Sequence, residues 1–426
     1  MKVKKLMKIG FKQIILTTVF VGLAVPAAFA QTPDNPFQRG RYTAVTERNQ
    51  ADFDPEAVRA GAFDIWASLG LDAAYNDNIF AEPDNPDDDT IIHVRPTVEA
   101  RSDWTSHALT ANLSVNHREY VANHAETSTD YEGFLDGRLD VQRSFALTGR
   151  VNAGHFTEER YEPGNNAGDP AAEFDAVGGS VGAIFRSDRI QLEGNANTSQ
   201  RDYDPAIYDF RDLTESGFYA RASYAVSPDV AIFVQGRTSD QDYDFAGTAL
   251  NPNRDGTQTN VQVGASFELQ APFRGEIAVG SVKEEKDDPV WTDVDGLSVN
   301  ARLLWFPTQI TTVTFRGNQG VSDPGIIDVA SAQNLNYGVR VDHELRRNII
   351  IFGDIGFGKY EFEGDNYDRE DKFIDFEVGF AYKINKRMHA EFSYRLHNQE
   401  SDGADADPNR PSFDQNIISA GLRFYP

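Results

Sequence analysis

The sequence predicts an all-β fold, a transmembrane antiparallel up-and-down β-barrel of about 18 strands, with 16 as the fallback count. Three observations predict it. Apolar residues recur at every second position through most of the chain. The segments that carry this rhythm are joined by connections that alternate between short and long. An export signal stands in front of them.

The export signal comes first in the chain. Lys2, Lys4, Lys5, Lys8 and Lys12 precede an apolar run from Ile14 to Val25, and Ala28-Phe29-Ala30 follows. That order of basic, apolar and small residues is a secretory signal, with cleavage after Ala30 leaving Gln31 first. About a dozen apolar residues fall well short of the roughly 20 that a helix needs to cross a bilayer. The chain therefore divides into a signal peptide (1–30), a periplasmic leader (31–62) and the barrel (63–426). The leader holds Pro33, Pro36, Arg39, Arg41 and Arg48 and no strand rhythm. It reads either as an unstructured arm or as a plug that folds into the barrel mouth with its arginines on lumen acids.

Composition removes several classes. Mean hydropathy is −0.49, and no further segment resembles a transmembrane helix. Without the signal's five lysines, 35 basic residues face 66 acidic ones, a net −31. Such acidity argues against nucleic acid as a partner. Disorder would ordinarily follow from this charge, but 29 Phe, 16 Tyr and 4 Trp are too many for it. There is no cysteine, which excludes disulfides and thiolate chemistry and suits a chain that crosses the oxidising periplasm unfolded.

The strands follow from a period of two. Phe63, Ile65, Ala67, Leu69, Leu71, Ala73 and Tyr75 alternate with Asp64, Trp66, Ser68, Gly70, Asp72, Ala74 and Asn76. Later, Ile374, Phe376, Val378, Phe380 and Tyr382 alternate with Asp375, Glu377 and Gly379. One apolar and one polar face make a strand between two solvents. Short connections fall at Ser102–Ser106, Gln142–Ser144, Ser187–Arg189, Ser227–Asp229, Ala271–Arg274, Pro307–Gln309, Arg346–Asn348 and Ile384–Arg387. Long acidic ones fall near 76–90, 121–129, 157–173, 199–213, 238–256, 283–293, 318–332, 359–370 and 397–412. Strict alternation puts both chain ends on the short-turn, periplasmic side.

A soluble sandwich or propeller would also alternate, but its strands average about 5–6 residues, too short for the segments read here. Aromatics gather towards strand ends (Tyr75, Tyr120, Tyr224, Trp305, Phe306, Tyr382), as in an interfacial girdle. The last strand, Gly421-Leu422-Arg423-Phe424-Tyr425, ends on aromatics of the kind that the barrel assembly machinery reads, although Pro426 trails them.

Residues 52–120 carry a resemblance. Asp52-Phe53-Asp54-Pro55, Val58-Arg59-Ala60-Gly61-Ala62-Phe63, Tyr75-Asn76-Asp77-Asn78-Ile79-Phe80-Ala81 and Arg101-Ser102-Asp103-Trp104-Thr105-Ser106-His107 resemble the opening of the outer-membrane porins designated β-barrel porin family 2. The resemblance implies a cell outer-membrane barrel of a Gram-negative bacterium, of a kind often encoded with exopolysaccharide biosynthesis genes. It implies no catalytic residues.

The polar phase defines the candidate site. Arg150, Arg221, Arg302 and Arg340 fall near mid-strand, with Asp140, Asp342 and Glu377 on the same face. These lumen-lining candidates either form a constriction whose transverse field selects polar solutes, or pair across strands and keep the lumen wet. Asp87, Asp88 and Asp89 are weak metal candidates, because their spacing matches no dedicated calcium loop. Of the eight histidines, His117, His155 and His343 fall in the lipid-facing phase, His107 borders a turn, His124 and His397 lie in loops, and His93 and His389 face the lumen. None has a nucleophile arrangement, and no G-x-S-x-G, H-E-x-x-H or phosphate loop occurs, so neither an enzyme nor a cofactor is expected. Expected partners are outer-membrane lipid and lipopolysaccharide, the assembly machinery and polysaccharide export components. Three roles stay open: a conduit for surface polysaccharide, a general diffusion porin, and a structural or adhesive barrel.

Overall fold

The computed structural model describes residues 40–165, 168–248, 252–270, 272–363, 368–405 and 412–426. The signal peptide and leader residues 31–39, with Pro33, Pro36 and Arg39, lie outside them. A short strand β1 (Val58–Ala60) precedes the barrel wall. The wall is β2 (Phe63–Asn76), β3 (Asp89–Ser102), β4 (Ala108–Tyr120), β5 (Ser128–Gln142), β6 (Phe145–Thr157), β7 (Glu173–Arg186), β8 (Ile190–Asp204), β9 (Leu213–Ser227) and β10 (Val230–Tyr243). It continues through β11 (Gly256–Glu268), β12 (Phe273–Lys286), β13 (Val294–Thr308), β14 (Thr311–Ser322), β15 (Ser331–Arg346), β16 (Ile349–Glu363), β17 (Glu370–Asn385), β18 (Met388–Asp402) and β19 (Ser412–Phe424).

Each wall strand pairs antiparallel with the next, and β19 returns to β2 from Ile417↔Asn76 to Phe424↔Leu69. The ring therefore closes on eighteen strands and leaves no open edge, which a barrel in lipid requires. Strand β1 pairs with the foot of β2.

Period two sorts the side chains as expected. On β17, Ile374, Phe376, Val378, Phe380 and Tyr382 are exposed outward, while Asp371, Phe373, Asp375, Ala381 and Lys383 are buried inward. Inward aromatics lie over glycines of the neighbouring strand. A Cβ on Gly358 would meet the Phe373 ring at 1.9 Å, and one on Gly264 would meet Phe233 at 2.3 Å. Each pair is directly opposed across the ladder, so the glycine makes room for the ring.

At the long connections the boundaries differ from the sequence reading in one direction, towards longer strands. The connections read at 199–213, 238–256 and 397–412 shrink to 205–212, 244–255 and 403–411, and Arg274 belongs to β12. The strands continue past the apolar belt into water, where both faces turn polar and the alternation fades. For the same reason His397, read as a loop residue, lies inside β18 and is buried. Two residues assigned to the aromatic girdle, Tyr120 and Phe306, fall in the inward phase, and Phe306 is buried.

Candidate functional site

The inner face is crossed at both mouths. At the end that carries the short turns, residues 40–56 run along the feet of consecutive strands. The Arg41 guanidinium donates to Asp229 at 2.6 Å, and the Gly40 amide donates to Glu268 at 3.2 Å. Tyr42 stacks on Phe306 with centroids 5.2 Å apart, and Ala44 packs on Leu304 and Phe306. The Val45 amide donates to the buried Thr312 hydroxyl at 3.0 Å. Arg274 reaches Glu47 at 2.8 Å, and Arg48 reaches Glu344 at 2.6 Å. Beyond them Lys383 bonds the buried Asp54 at 2.7 Å, and the His389 imidazole meets the Phe53 carbonyl at 3.0 Å. These anchors extend from the β9–β10 turn round to β18. Alternating charges and one aromatic anchor hold a segment whose own structure is two short turns, Val45–Glu47 and Gln50–Asp54.

At the outer end, the segment between β6 and β7 folds over the lumen. Glu158 holds Arg211 at 2.6 Å, Glu159 holds Arg118 at 3.1 Å, and Arg160 holds Glu126 at 2.6 Å. These pairs fix the base of the segment, and Tyr161 then reaches the far wall. Its ring stacks on the buried His397 imidazole with centroids 4.5 Å apart and packs on Ala81 and Phe413. Gly164 passes so close to the next insert that a Cβ there would sit 2.7 Å from the Gly325 carbonyl oxygen. Gly325 itself needs its positive φ of 71°. Glu162 is buried, and desolvation together with the charges of Glu158 and Glu159 pushes its carboxyl well above the ordinary range. Asp323 behaves oppositely. Burial opposes its charge, but Arg254, the Tyr243 hydroxyl and the Gly325 amide together hold it below the ordinary value.

The predicted lumen residues all lie on inward-phase positions, in different settings. Arg221 is 5% exposed, sits 3.6 Å from the Phe233 ring centroid and donates twice to Glu276, at 2.9 and 2.7 Å. Arg150 leans to Asp136 at 3.3 Å and lies over Phe134 at 4.2 Å. Arg340 bonds Asp342 at 3.1 Å and shares Asp354 with Arg316. Asp140, near the short-turn rim, takes Arg138 at 2.9 Å and the His107 amide at 3.2 Å. Among the described residues, no cation lies within 4 Å of the Glu377 carboxylate and no carboxylate within 4 Å of the Arg302 guanidinium. Arg302 faces the open lumen beside the exposed Asn300 and Asn318. The four arginines thus do not form one column.

The weak metal candidates do not converge. Asp89 accepts from the amides of Thr90, Ala122 and Asn123 and ties down the next loop, whereas Asp87 uses its backbone carbonyl to hold Ile79. No group of three or more histidine or acidic side chains suited to a metal occurs among the described residues.

Sequence reasoning missed Tyr161, Glu162 and His397, and it left the leader's role undecided. No periodicity marks an inserted loop. The available signal was the Arg160-Tyr161-Glu162-Pro163-Gly164 run, which sets an aromatic and a turn-forming Pro-Gly inside an otherwise acidic connection.

A family model described as "Putative beta-barrel porin 2" matches residues 50–425. No curated protein matches the chain. Among solved structures the chain is similar to Pseudomonas aeruginosa OccK2 (OpdF), at 10% identity over 85% of this chain and 98% of that one, with a TM-score of 0.48. It is also similar to the apoprotein form of the FrpB iron transporter from Neisseria meningitidis, at 8% identity, 87% and 82% coverage and a TM-score of 0.48. A third such structure is the copper transporter OprC, at 11% identity, 87% and 82% coverage and a TM-score of 0.46.

Proposed function

The chain belongs to the β-barrel porin 2 family of porin-like outer-membrane barrels, and from that premise we propose a channel for polar solutes, closed at rest from both ends, that serves export of surface polysaccharide. One observation carries the channel reading. Between the two inserts the inner face is not filled: Asn300, Arg302 and Asn318 on one side are exposed, and the mid-strand inner residues of β6, β7 and β8 on another are half-exposed. Eighteen strands enclose more space than wall side chains can fill, and here two inserts narrow its ends. A purely structural barrel has no need for two separate inserts held by reversible polar contacts.

The leader acts as the inner plug and the 158–172 segment as the outer one. The polysaccharide cargo rests on the sequence resemblance at 52–120 and on the amide-rich stretch of wall treated below. In planar bilayers the full-length protein should be nearly silent, and deletion of residues 40–56 should raise its conductance. A correctly folded deletion variant that stays silent overturns the channel reading and leaves a structural barrel. For the cargo, a strain lacking the protein should retain polysaccharide in the periplasm. Unchanged surface polysaccharide with slower uptake of small solutes would instead assign it as a general diffusion porin.

A further inference from the structure

The inner wall is not uniform, and its least charged stretch is also among its least covered. The inward positions of β7 run Phe174, Ala176, Gly178, Ser180, Gly182 and Ile184 before Arg186 closes the strand at the short-turn end, so no ionisable group stands at mid-strand. Asparagines from the flanking strands lie flat against this wall. A Cβ on Gly178 would meet the Asn152 amide at 3.1 Å, and one on Gly182 would meet the Asn195 amide nitrogen at 3.2 Å. Asn197 lies against Gly217 in the same way, 3.2 Å from where its Cβ would be. Arg150 is the one charge on the inner face of β6, and on β8 Glu193 and Arg201 flank the uncharged mid-strand run Asn195, Asn197 and Ser199. The Arg150 guanidinium is drawn towards β5 by Asp136 and Phe134, away from β7. The anchors of the described leader residues 40–56 run from the β9–β10 turn to β18, and none of these anchors lies on β6–β8.

We propose that solutes cross the barrel off its axis, along the amide-faced wall of β6–β8, and that this wall favours neutral, hydroxyl-rich chains over ions. This deepens the channel reading above and rests on it. Side-chain amides and hydroxyls can exchange hydrogen bonds with a sugar one for one, replacing its hydration without imposing a fixed charge. Passage needs contacts that are many and individually weak, so that a bound chain can still move on. A row of small residues with flat amides meets that need, whereas an ion pair would either hold an ion or repel it. The glycines keep this wall recessed, leaving width where a sugar ring must pass.

The test is swelling of proteoliposomes that hold the protein with residues 40–56 deleted, comparing maltotriose with glutamate as the permeant. Ser180→Trp should lower maltotriose entry roughly tenfold, because one bulky ring fills the recess of a narrow path. Asn197→Arg should lower the ratio of maltotriose to glutamate. Ser393→Trp, on the inner face of β18, should leave both rates within about twofold, as a change outside the path does. Folding of each variant is checked by its heat-dependent gel mobility. Equal losses at Ser180 and Ser393 would overturn the off-axis path while leaving the channel standing. A leader-deleted protein that admits neither solute overturns both readings. Because the native chain has no cysteine, Ser180→Cys and Ser393→Cys can be compared without background. A neutral maleimide should modify the former faster, and the reverse order overturns the proposal.

Discussion

The inner faces of β9–β18 and of β4–β8 belong to one sheet and meet one lumen, yet they are built on opposite plans. The first arc is covered by the leader and by outer inserts, and it hides its charges in pairs: Arg221 with Glu276, Arg316 with Asp354, Arg395 with Asp375. The second keeps its mid-strand inner residues half-exposed, and on β6–β8 it sets amides, hydroxyls and glycines at mid-strand with Arg150 as the one ion among them. The window at Asn300, Arg302 and Asn318 is where the first arc reopens. The comparison teaches that polarity of the lumen phase is not one property. In the covered arc polar groups fasten inserts to the wall, while in the open arc they face water and whatever replaces it.

The largest expected effect breaks the covered arc. Glu276→Ala would leave the Arg221 guanidinium buried against Phe233 without its counter-charge, which should cost roughly 3–5 kcal/mol. Asn197→Ala in the open arc should stay within about 0.5 kcal/mol, since water replaces what is lost. Urea midpoints of the two variants in detergent compare the arcs directly. Equal destabilisation would mean that the arcs do not differ in kind.

Next in size is the outer surface, which both arcs share. Val378 is 43% exposed on the lipid face of β17, and Val339 holds the same phase on β15. Val378→Arg or Val339→Arg should cost roughly 2–4 kcal/mol in a bilayer, because the charge enters hydrocarbon. Asn336→Ser, inward on β15, should be close to neutral. The lipid penalty should be the same behind either arc, so the difference between them lies wholly inside.

These contrasts also show what was legible in advance. Strand number, closure and phase were, because a strand between oil and water repeats every two residues whatever its neighbours do. The pairing of Arg150, Arg221 and Arg340 was not, because alternation names a face and says nothing of which carboxylate stands across it. Arg302 and Arg221 look identical in sequence, one facing water and the other sealed under Glu276. The inserts were least legible. Tyr161 seats on His397 from 236 positions away in the chain, and nothing periodic foretells such a contact.

A smaller effect concerns the hinge between the arcs, where the 158–172 segment leaves the open wall and docks on the covered one. The raised carboxyl of Glu162 means that the docked segment holds the proton more tightly than the free one does. Docking therefore keeps its full advantage below the ordinary value near 4.5 and loses it as pH rises through the raised value. Single-channel openings of the leader-deleted protein should be more frequent at pH 8 than at pH 5. Glu162→Gln should flatten that dependence at the low-pH level. If the variant kept the wild-type pH profile, the titrating group would lie elsewhere in the mouth.

The smallest expected effect on stability falls on Arg302, and it sharpens the comparison most. Arg302 stands in the covered arc by strand number but in open water by exposure, and among the described residues no carboxylate lies within 4 Å of it. Arg302→Glu should therefore change folding by no more than about 0.5 kcal/mol, as an exposed substitution does. It still reverses a fixed charge on the waterway, so the reversal potential of the leader-deleted channel in a salt gradient should move towards cation preference. Arg221→Glu has the same formal charge change, yet it places two carboxylates together and should fail to fold. Replacing all four mid-strand arginines would confound these outcomes, whereas the single change at Arg302 separates them. If Arg302→Glu leaves selectivity untouched while the channel conducts, the current does not pass the β13–β14 window at all. It then runs wholly along the β6–β8 wall.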